Sequence, residues 1–156
     1  MPAKKVEPLK SFRFLVEVEG GQKKIVAAFS QFSGVKMQIE TVPVRSGSER
    51  RGVLDCVPAL TDFQDVTLSR GVIGDEDFLE WIYSVAPGPS AAPTGKHSCR
   101  TINVISLDDR GKPAITWSLL DAMPVAYELG GMDSSQSAVL SETLSFTIAG
   151  FKRVKH

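Results

Sequence analysis

The sequence is poor in the residues that disulfides, metal sites and histidine-dependent catalysis require. It contains only two cysteines, Cys56 and Cys99, and two histidines, His97 and His156, among 156 residues. Two cysteines so far apart in sequence do not form a disulfide framework, so a reduced, cytoplasmic protein is the economical interpretation. Only the two histidines are available as a histidine general base.

Long apolar runs and an excess of one charge are also missing. No apolar run approaches the roughly 20 residues of a membrane span, so no membrane anchoring is expected. The opening residues, MPAKKVEPLKSF, lack the apolar core of a secretory signal. Lys plus Arg and Asp plus Glu number 18 each, so no global field draws the chain to nucleic acid or to an anionic membrane. The length suits one domain, 1–156, with a polar leader at 1–10.

What the sequence does contain is period-2 alternation, which is typical of half-buried strands. Phe12, Phe14, Val16 and Val18 share one face of a predicted first strand. Two glycines at 20–21 predict a hairpin turn, and residues 24–29 predict the returning strand. Further strands are predicted at 65–70, 100–107, 114–120, 123–129 (after a kink at the proline at 124) and 140–151.

A long hairpin-like arm is predicted between about residues 35 and 60. Residues 32–44 have extended character, and a turn-rich, charged tip at 46–52 separates them from another extended stretch at 53–57. Pro43 predicts an edge position, because proline cannot donate to a strand ladder. We therefore expect the arm to project from the body and to be partly exposed.

One helix is predicted at 75–85, where Phe78, Leu79 and Ile82 recur at helical spacing with Trp81 beside them. A Pro/Gly/Ser-rich stretch at 86–97 predicts a flexible loop after it. Seven or eight strands and one helix, without β-α-β alternation, predict an antiparallel β-barrel or sandwich with one flanking α-helix.

Three acids at the start of this helix have two interpretations. Asp75 and Asp77 could hold a divalent cation, with Glu80 as a third oxygen ligand. Alternatively, Asp75 is the N-cap, and Glu76 and Asp77 lie in the first turn, where the helix dipole favours negative charge. No further acidic motif or histidine completes a metal site, so we favour the helix cap.

The other candidates for chemistry are weaker. The glycines at 88 and 95 and Lys96 superficially resemble a phosphate-binding loop, but six residues separate the glycines and His97 follows the lysine. His97, Cys99, Cys56 and His156 lack the usual spacing of zinc ligands, and an ordinary loop histidine and buried cysteine are expected instead. No Gly-x-Ser-x-Gly elbow is present. No cofactor or metal is expected, and no enzyme is predicted.

The order of motifs along the chain resembles the tail tube (inner tube) protein family of contractile phage tails and phage-tail-like contractile injection systems. The matching stretches are FRFLVEVE at 12–19, FSQFSGV at 29–35, VPALTDFQDVTLSRGV at 57–72, DFLEWI at 77–82, WSLLDAMPV at 117–125 and FTIAGF at 146–151. Ala59, Phe63 and the turn at 45–47 depart from the residues common in the family.

The resemblance implies a tail-tube or Hcp-like barrel whose copies form hexameric rings that stack into a hollow tube. The implied partners are other copies of the chain, a contractile sheath protein, a baseplate or spike hub and a tube terminator, with protein cargo in the lumen. Polar residues of alternating strands are expected to line that lumen. The implied location is a phage tail or injection-system particle assembled from protein made in the cytoplasm.

The resemblance also implies that the arm forms subunit and ring-to-ring contacts. The residues expected at these contacts are Val35, Met37, Ile39, Val42, Arg45, Glu49, Arg50, Arg51 and Leu54. One alternative keeps the fold and makes the chain a tube-initiator ring on the baseplate. A third hypothesis is a small metal-dependent enzyme that uses Asp75, Asp77 and His97.

Overall fold

The computed structural model of the chain describes residues 14–20, 24–44, 55–72, 77–85 and 99–156. Within these ranges the chain forms ten β-strands and one α-helix. The elements are β1 (Phe14–Glu19), β2 (Ile25–Ala27), β3 (Gln31–Phe32), β4 (Met37–Val44), β5 (Asp55–Phe63), β6 (Val66–Gly71), α1 (Asp77–Val85), β7 (Arg100–Leu107), β8 (Pro113–Leu129), β9 (Ser141–Thr147) and β10 (Gly150–Lys155).

Every strand pair is antiparallel, as the predicted fold class requires. The main sheet has eight strands in the order β2-β1-β7-β8-β9-β6-β3, with β10 paired to β8 as well. Strands β4 and β5 pair only with each other and form a separate two-stranded sheet, which is the arm. The predicted mainly β fold with one helix is therefore confirmed.

The long strand β8 joins the two parts of the main sheet. Its first half pairs with β7 and β10, and its second half, from Met123 onward, pairs with β9. Between the halves, Asp121 has a φ of 51°, in the left-handed region that residues other than glycine rarely adopt. We call β2, β1, β7, the first half of β8 and β10 the β7 wing, and the second half of β8, β9, β6 and β3 the β9 wing.

Both wings and the helix contribute to a single apolar core. Its main members are Val16, Val18, Ile102, Val104 and Leu119 from the β7 wing, Val66, Leu68, Leu144 and Phe146 from the β9 wing, and Phe78 and Trp81 from α1. The Trp81 ring stacks on Phe146 with centroids 5.2 Å apart, and Phe78 meets Phe29 edge-on at 5.3 Å. Full burial of each such side chain contributes about 1.5–3 kcal/mol to stability.

The turn between β7 and β8 is a tight hairpin connection. The Asp108 carboxylate accepts hydrogen bonds from the backbone N–H groups of Arg110 and Lys112, each at 2.9 Å. These contacts, led by that of Lys112, lower the pKa of Asp108. Gly111 follows with a φ of 77°, a conformation that glycine adopts without steric cost.

Several predicted elements differ in extent from the observed ones. The predicted strand at 140–151 is two strands, because the chain leaves β9 after Thr147 and begins β10 at Gly150. Alternation continues through the bend, since Ile148 is also buried, so periodicity gave no sign of it. Likewise 114–120 and 123–129 are one strand; its corner is at Asp121, and a register shift follows at Pro124.

The inward face of the helix also differs from its prediction. Phe78 and Trp81 are its fully buried side chains, whereas Leu79 and Ile82 are half-buried. The cause is that Trp81 stacks on Phe146, which turns the stripe from Phe78 to Trp81 toward the sheet. The described helix begins at Asp77, and the predicted cap, Asp75, lies outside the described residues.

Candidate assembly surfaces

The residues proposed for metal chemistry do not form a cluster in the part of the chain that the structure describes. No group of three or more His, Cys, Asp or Glu side chains that could hold a metal ion occurs there. Asp75 and His97 lie outside the described residues. Cys56 and Cys99 are free and exposed, so the expectation of a buried cysteine was wrong. Helices of the described ranges are too short or too polar to span a membrane.

The arm is the most exposed element of the described fold. All eight residues of β4 are exposed, including Ile39 at 48% and Val42 at 51%. Because side chains alternate along a strand, and directly paired residues share a side, the register divides the arm into two sides. A bulge in β5, opposite Glu40, makes room for one extra residue.

The two sides of the arm differ in charge. The uncharged side carries Met37, Ile39, Thr41 and Pro43 with Cys56, Pro58, Thr61 and Phe63. The acidic side carries Gln38, Glu40, Val42 and Val44 with Val57 and Asp62. At the base of the arm, Phe63 on the uncharged side meets Phe151 edge-on with ring centroids 6.1 Å apart. The uncharged side therefore faces the body of its own chain there, and the acidic side faces away.

The outer face of the β7 wing is polar, although its inner face is part of the core. Glu17, Asn103, Ser118 and Lys152 lie side by side in one registered row across four strands. The Ser118 hydroxyl donates to the Asn103 side-chain oxygen at 2.7 Å. Such a surface can face water without exposing a large apolar patch.

Neighbouring rows of this face mix polar and apolar side chains, because Thr116 lies between Ile105 and Val154. Lys24 Nζ lies 3.0 Å from Glu17 Oε2, and this hydrogen bond is the main cause of the raised pKa of Lys24. Thr116 and the His156 ring are 2.8 Å apart through Oγ1 and Nε2. Two glutamates, at 17 and 19, are thus matched by Lys24 and Lys152, and the face carries no strong net charge.

Strand β10 is a basic edge of the same wing. Among the described strands it pairs with β8 alone, and Lys152, Arg153 and Lys155 are all exposed. By alternation, Lys152 lies on the outer face, whereas Arg153 and Lys155 lie on the side of Phe151. An edge strand has unpaired backbone donors and acceptors, and cationic side chains are a common protection against uncontrolled pairing.

An open groove of about 790 Å³ lies between β1, β7 and β8 of the β7 wing and β3 and β6 of the β9 wing, with Phe151 of β10 at its side. Its walls combine aromatic rings (Phe14, Phe32, Trp117 and Phe151) with the hydroxyls of serines and threonines. Among the described residues, no charged side chain lines it, and no acid or histidine is placed there to act on a bound molecule. The groove therefore has the character of a packing surface more than that of an active site.

The β9 wing contains a buried ion pair that was not predicted from the sequence. Arg70 and Glu142 are direct neighbours on β6 and β9, with Nε and Oε1 2.6 Å apart and side chains only 4% and 6% exposed. The Tyr127 hydroxyl donates to Glu142 Oε2 at 2.9 Å. Burial, followed by this bond to Glu142, raises the pKa of Tyr127.

Aromatic rings complete the surroundings of the ion pair. The Arg70 guanidinium lies over the Phe29 and Phe78 rings, at 5.0 and 5.2 Å from their centroids. Periodicity contained the signal, because Arg70 follows Val66 and Leu68 on the apolar stripe of its strand. A charged residue on such a stripe requires a counter-ion. The arrangement ties α1 to the β9 wing and has no reactive group open to a substrate.

Comparison with known proteins identifies the family of this fold. The model of the T4-like virus tail tube protein gp19 family matches residues 10–152. The chain belongs to the T4-like tail tube protein family. This confirms the resemblance drawn from the motifs, and the protein is a structural tube subunit. No curated protein sequence matches the chain.

Solved structures share the fold of this tail tube protein at low sequence identity. A chain of the anti-feeding prophage baseplate, solved with 6-fold symmetry, matches with a TM-score of 0.75 and 22% identity, covering 96% of this chain and 97% of that one. The sheath–tube complex of the PVC extracellular contractile injection system matches with a TM-score of 0.75 and 21% identity, covering 96% and 93%. Its sheath/tube terminator structure matches with a TM-score of 0.76 and 21% identity, covering 97% of this chain and 99% of that one.

The contact residues predicted for this tail tube protein fall into three groups. Met37, Ile39 and Val42 are exposed on the arm, whereas Val35 is partly buried against the core and lines the groove. The remaining predicted residues, Arg45, Glu49, Arg50, Arg51 and Leu54, lie outside the described residues. Their role in contacts between copies stays a prediction.

Proposed function

We propose that this tail tube protein forms closed hexameric rings that stack into the hollow inner tube of a contractile phage tail or injection system. The family match over residues 10–152 carries the proposal, because a tube requires many copies of one subunit. Each chain acts as a single tail-tube-like domain, 1–156, from which the arm projects. The 6-fold symmetry of the baseplate with the same fold supports a six-membered ring.

In this proposal the outer face of the β7 wing lines the channel. Its row from Glu17 to Lys152 is polar and nearly balanced in charge, so a cargo can pass without strong adhesion to the wall. The opposite assignment is unfavourable, since burying charged groups such as Glu17 and Lys152 in a dry contact between subunits requires partners for each of them. Protein cargo is the proposed content of the lumen.

The arm forms the contacts between copies. Its strands expose Met37, Ile39 and Val42, and exposed apolar side chains on a projecting two-stranded sheet are stabilised by burial against a neighbour. A two-stranded hairpin is marginally stable in water by itself, so packing against another copy also orders it. The predicted contacts at Arg45, Glu49, Arg50, Arg51 and Leu54 belong to the same proposal.

The proposed partners follow from the same assembly. They are a contractile sheath protein around the tube, a terminator at one end and a baseplate or spike hub at the other, as in the particles whose solved chains share this fold. The chain is made in the cytoplasm and built into the particle. It has no catalytic role and binds no cofactor.

The test is the assembly state of the purified full-length chain. Negative-stain electron microscopy and sedimentation velocity across a range of concentrations should show rings with a central channel and stacks of rings. A chain that remains monomeric at every concentration contradicts the proposal. If elemental analysis finds stoichiometric metal and the purified chain shows enzymatic activity that depends on this metal, the tube proposal is rejected in favour of the metal-dependent enzyme.

A second candidate is the tube-initiator ring, which the similarity to a chain of a baseplate structure favours. An initiator has one face that binds a hub and so stops at one ring by itself. A main tube subunit polymerises without a limit on length. If the purified chain alone forms tubes of many rings, it is a main tube subunit. If it forms only single rings at high concentration, it is the initiator.

A further inference from the structure

Two groups of opposite charge lie on exposed elements of the chain without ion-pair partners among the described residues. Glu40 and Asp62 lie on the acidic side of the arm, and Arg153 and Lys155 lie on one side of β10. The ion pairs within the described ranges join Lys24 to Glu17 and Glu19, and Arg70 to Glu142. None involves the four residues named above.

The direction of the arm prevents the two groups from pairing within one chain. Phe63 on the uncharged side contacts Phe151, which shares its side of β10 with Arg153 and Lys155. At its base the arm therefore presents its uncharged side to its own β10, and Glu40 and Asp62 lie on the side turned away from it. Among the described residues, β10 of the same chain is thus on the other side from these carboxylates, whereas β10 of a second copy can reach them.

The two groups also match in spacing. Arg153 and Lys155 are two residues apart on one strand, which separates them by about 7 Å. Asp62 is paired with Gln38, so Glu40, two residues further on, is its diagonal neighbour at about 7–8 Å. Two cations can therefore meet two carboxylates at the same time, one to one.

We propose that the acidic side of the arm of one copy, at Glu40 and Asp62, docks on β10 of a second copy, at Arg153 and Lys155. This rests on the proposed function, because it requires copies of the chain to associate. The contact is heterologous, joining two different surfaces, and such contacts build rings and stacks in place of isolated dimers. Val42 and Val57, on the same side of the arm, are covered by the contact. The charge pairs fix its register and speed association.

The test uses charge reversal in the full-length chain. One variant carries Glu40→Lys and Asp62→Lys, and the other carries Arg153→Glu and Lys155→Glu. All four side chains are exposed, so each variant should fold, which circular dichroism and thermal melting check. Each variant alone should need a concentration at least about tenfold higher than the wild type to form rings or tubes, since like charges then face each other in every contact.

Mixing the two variants gives the decisive result. The arm of the first variant, with two lysines, then meets β10 of the second variant, with two glutamates. The unchanged acidic arm of the second variant meets the unchanged basic β10 of the first. An alternating arrangement of the two variants should therefore assemble at nearly the wild-type concentration, as should one chain carrying all four changes. Rescue by mixing shows that the pairing is between copies, because a contact within one chain cannot be restored in this way.

Lys152→Glu is the matched control, because it reverses a charge on the same strand but on the opposite side. It should leave the assembly concentration within about twofold of the wild type. If both double variants assemble like the wild type, the acidic side faces some other protein and the inference is overturned, although the proposed function stands. If the variants fail and neither the mixture nor the fourfold variant is rescued, the inference is also overturned. A wild-type chain that never assembles overturns both.

Discussion

At the scale of single residues, the buried ion pair of Arg70 and Glu142 is the least replaceable interaction of the fold. Removing one partner leaves the other charge buried, which costs about 3–5 kcal/mol, whereas replacing both with apolar residues costs much less. We expect Arg70→Leu to destabilise the monomer by about that amount. Arg70→Leu combined with Glu142→Leu should recover much of the loss. Urea denaturation below the assembly concentration measures both.

Ser69 provides the matched control for that experiment. Its hydroxyl lies 2.9 Å from that of Thr143, on the same two strands but on the other face. Both groups are partly accessible to water, so Ser69→Ala should cost no more than about 1 kcal/mol. If Ser69→Ala and Arg70→Leu lower the free energy of unfolding equally, the ion pair stabilises the fold no more than a partly exposed hydrogen bond.

Tyr127 gives the fold a dependence on alkaline pH. Its pKa is raised by burial and by the bond to Glu142, so the folded state holds the hydroxyl proton at a pH at which the unfolded chain, with an ordinary pKa near 10, releases it. The stability from this bond is fully present below pH 10 and is lost as the pH rises through the folded pKa. Unfolding free energies measured from pH 8 to 11.5 should fall less steeply in Tyr127→Phe than in the wild type.

The control for this pH series is the exposed tyrosine of α1. Tyr83 is 60% exposed, against 37% for Tyr127, and its charge is a smaller cause of the raised pKa of Tyr127 than burial and Glu142, so the Tyr83→Phe variant should keep most of the alkaline slope. A Tyr127→Phe variant with an unchanged slope would assign the alkaline loss to other groups.

At the scale of elements, the corner of β8 depends on one unusual backbone conformation. Asp121 is exposed and has a φ of 51°, which costs a residue with a Cβ about 1 kcal/mol relative to glycine. Asp121→Gly should therefore leave stability unchanged or raise it by up to about 1 kcal/mol. Asp121→Val should lower it by more than about 1 kcal/mol, because β-branched residues rarely adopt positive φ. Thermal melting of the two variants compares them directly.

The corner also shows where prediction from sequence succeeds and where it ends. Alternation predicted the strands, since each has one face on the core, and it predicted the exposed arm, where Pro43 indicated an edge. It could not show the change of pairing partners at Asp121 or the break before Gly150. Apolar residues continue in phase from Leu144 through Phe146 to Ile148. Across Asp121 the buried Leu119 and Ala122 are three residues apart, so the alternation is interrupted there, but this interruption does not show which strand pairs next.

Contacts between elements were beyond a one-dimensional pattern for a different reason. The sequence placed Arg70 at the end of a strand, but only the register of β6 with β9 brings it to Glu142. In the same way, the two sides of the arm depend on which residues of β4 and β5 are paired. The acidic side could be recognised only after that register was known.

At the scale of the whole molecule, the two faces of the β7 wing are in different surroundings. The inner face of the β7 wing is core, and its outer face carries a polar row from Glu17 on β1 to Lys152 on β10. If that outer face lines a channel, its residues stay in water after assembly but lose access to large molecules. Residues on an outside surface of a tube would keep access to both small and large reagents.

This difference predicts a labelling pattern that depends on reagent size. In a chain whose own cysteines, Cys56 and Cys99, are replaced by serine, Glu17→Cys places a single thiol on the outer face. A small maleimide should label it in both the dissociated chain and the assembled tube. A maleimide attached to a folded protein wider than the channel should label only the dissociated chain, with a drop of at least about tenfold on assembly.

The comparison position for this labelling is Lys112, an exposed residue of the turn between β7 and β8. Lys112→Cys in the same background measures how far assembly blocks the large reagent at a position off the polar row. Equal labelling of Glu17→Cys by the large reagent before and after assembly would place the polar row on the outside of the tube. The channel would then have to be lined by another surface, and the β9 wing, with the helix α1 packed beside it, is the remaining face of the fold.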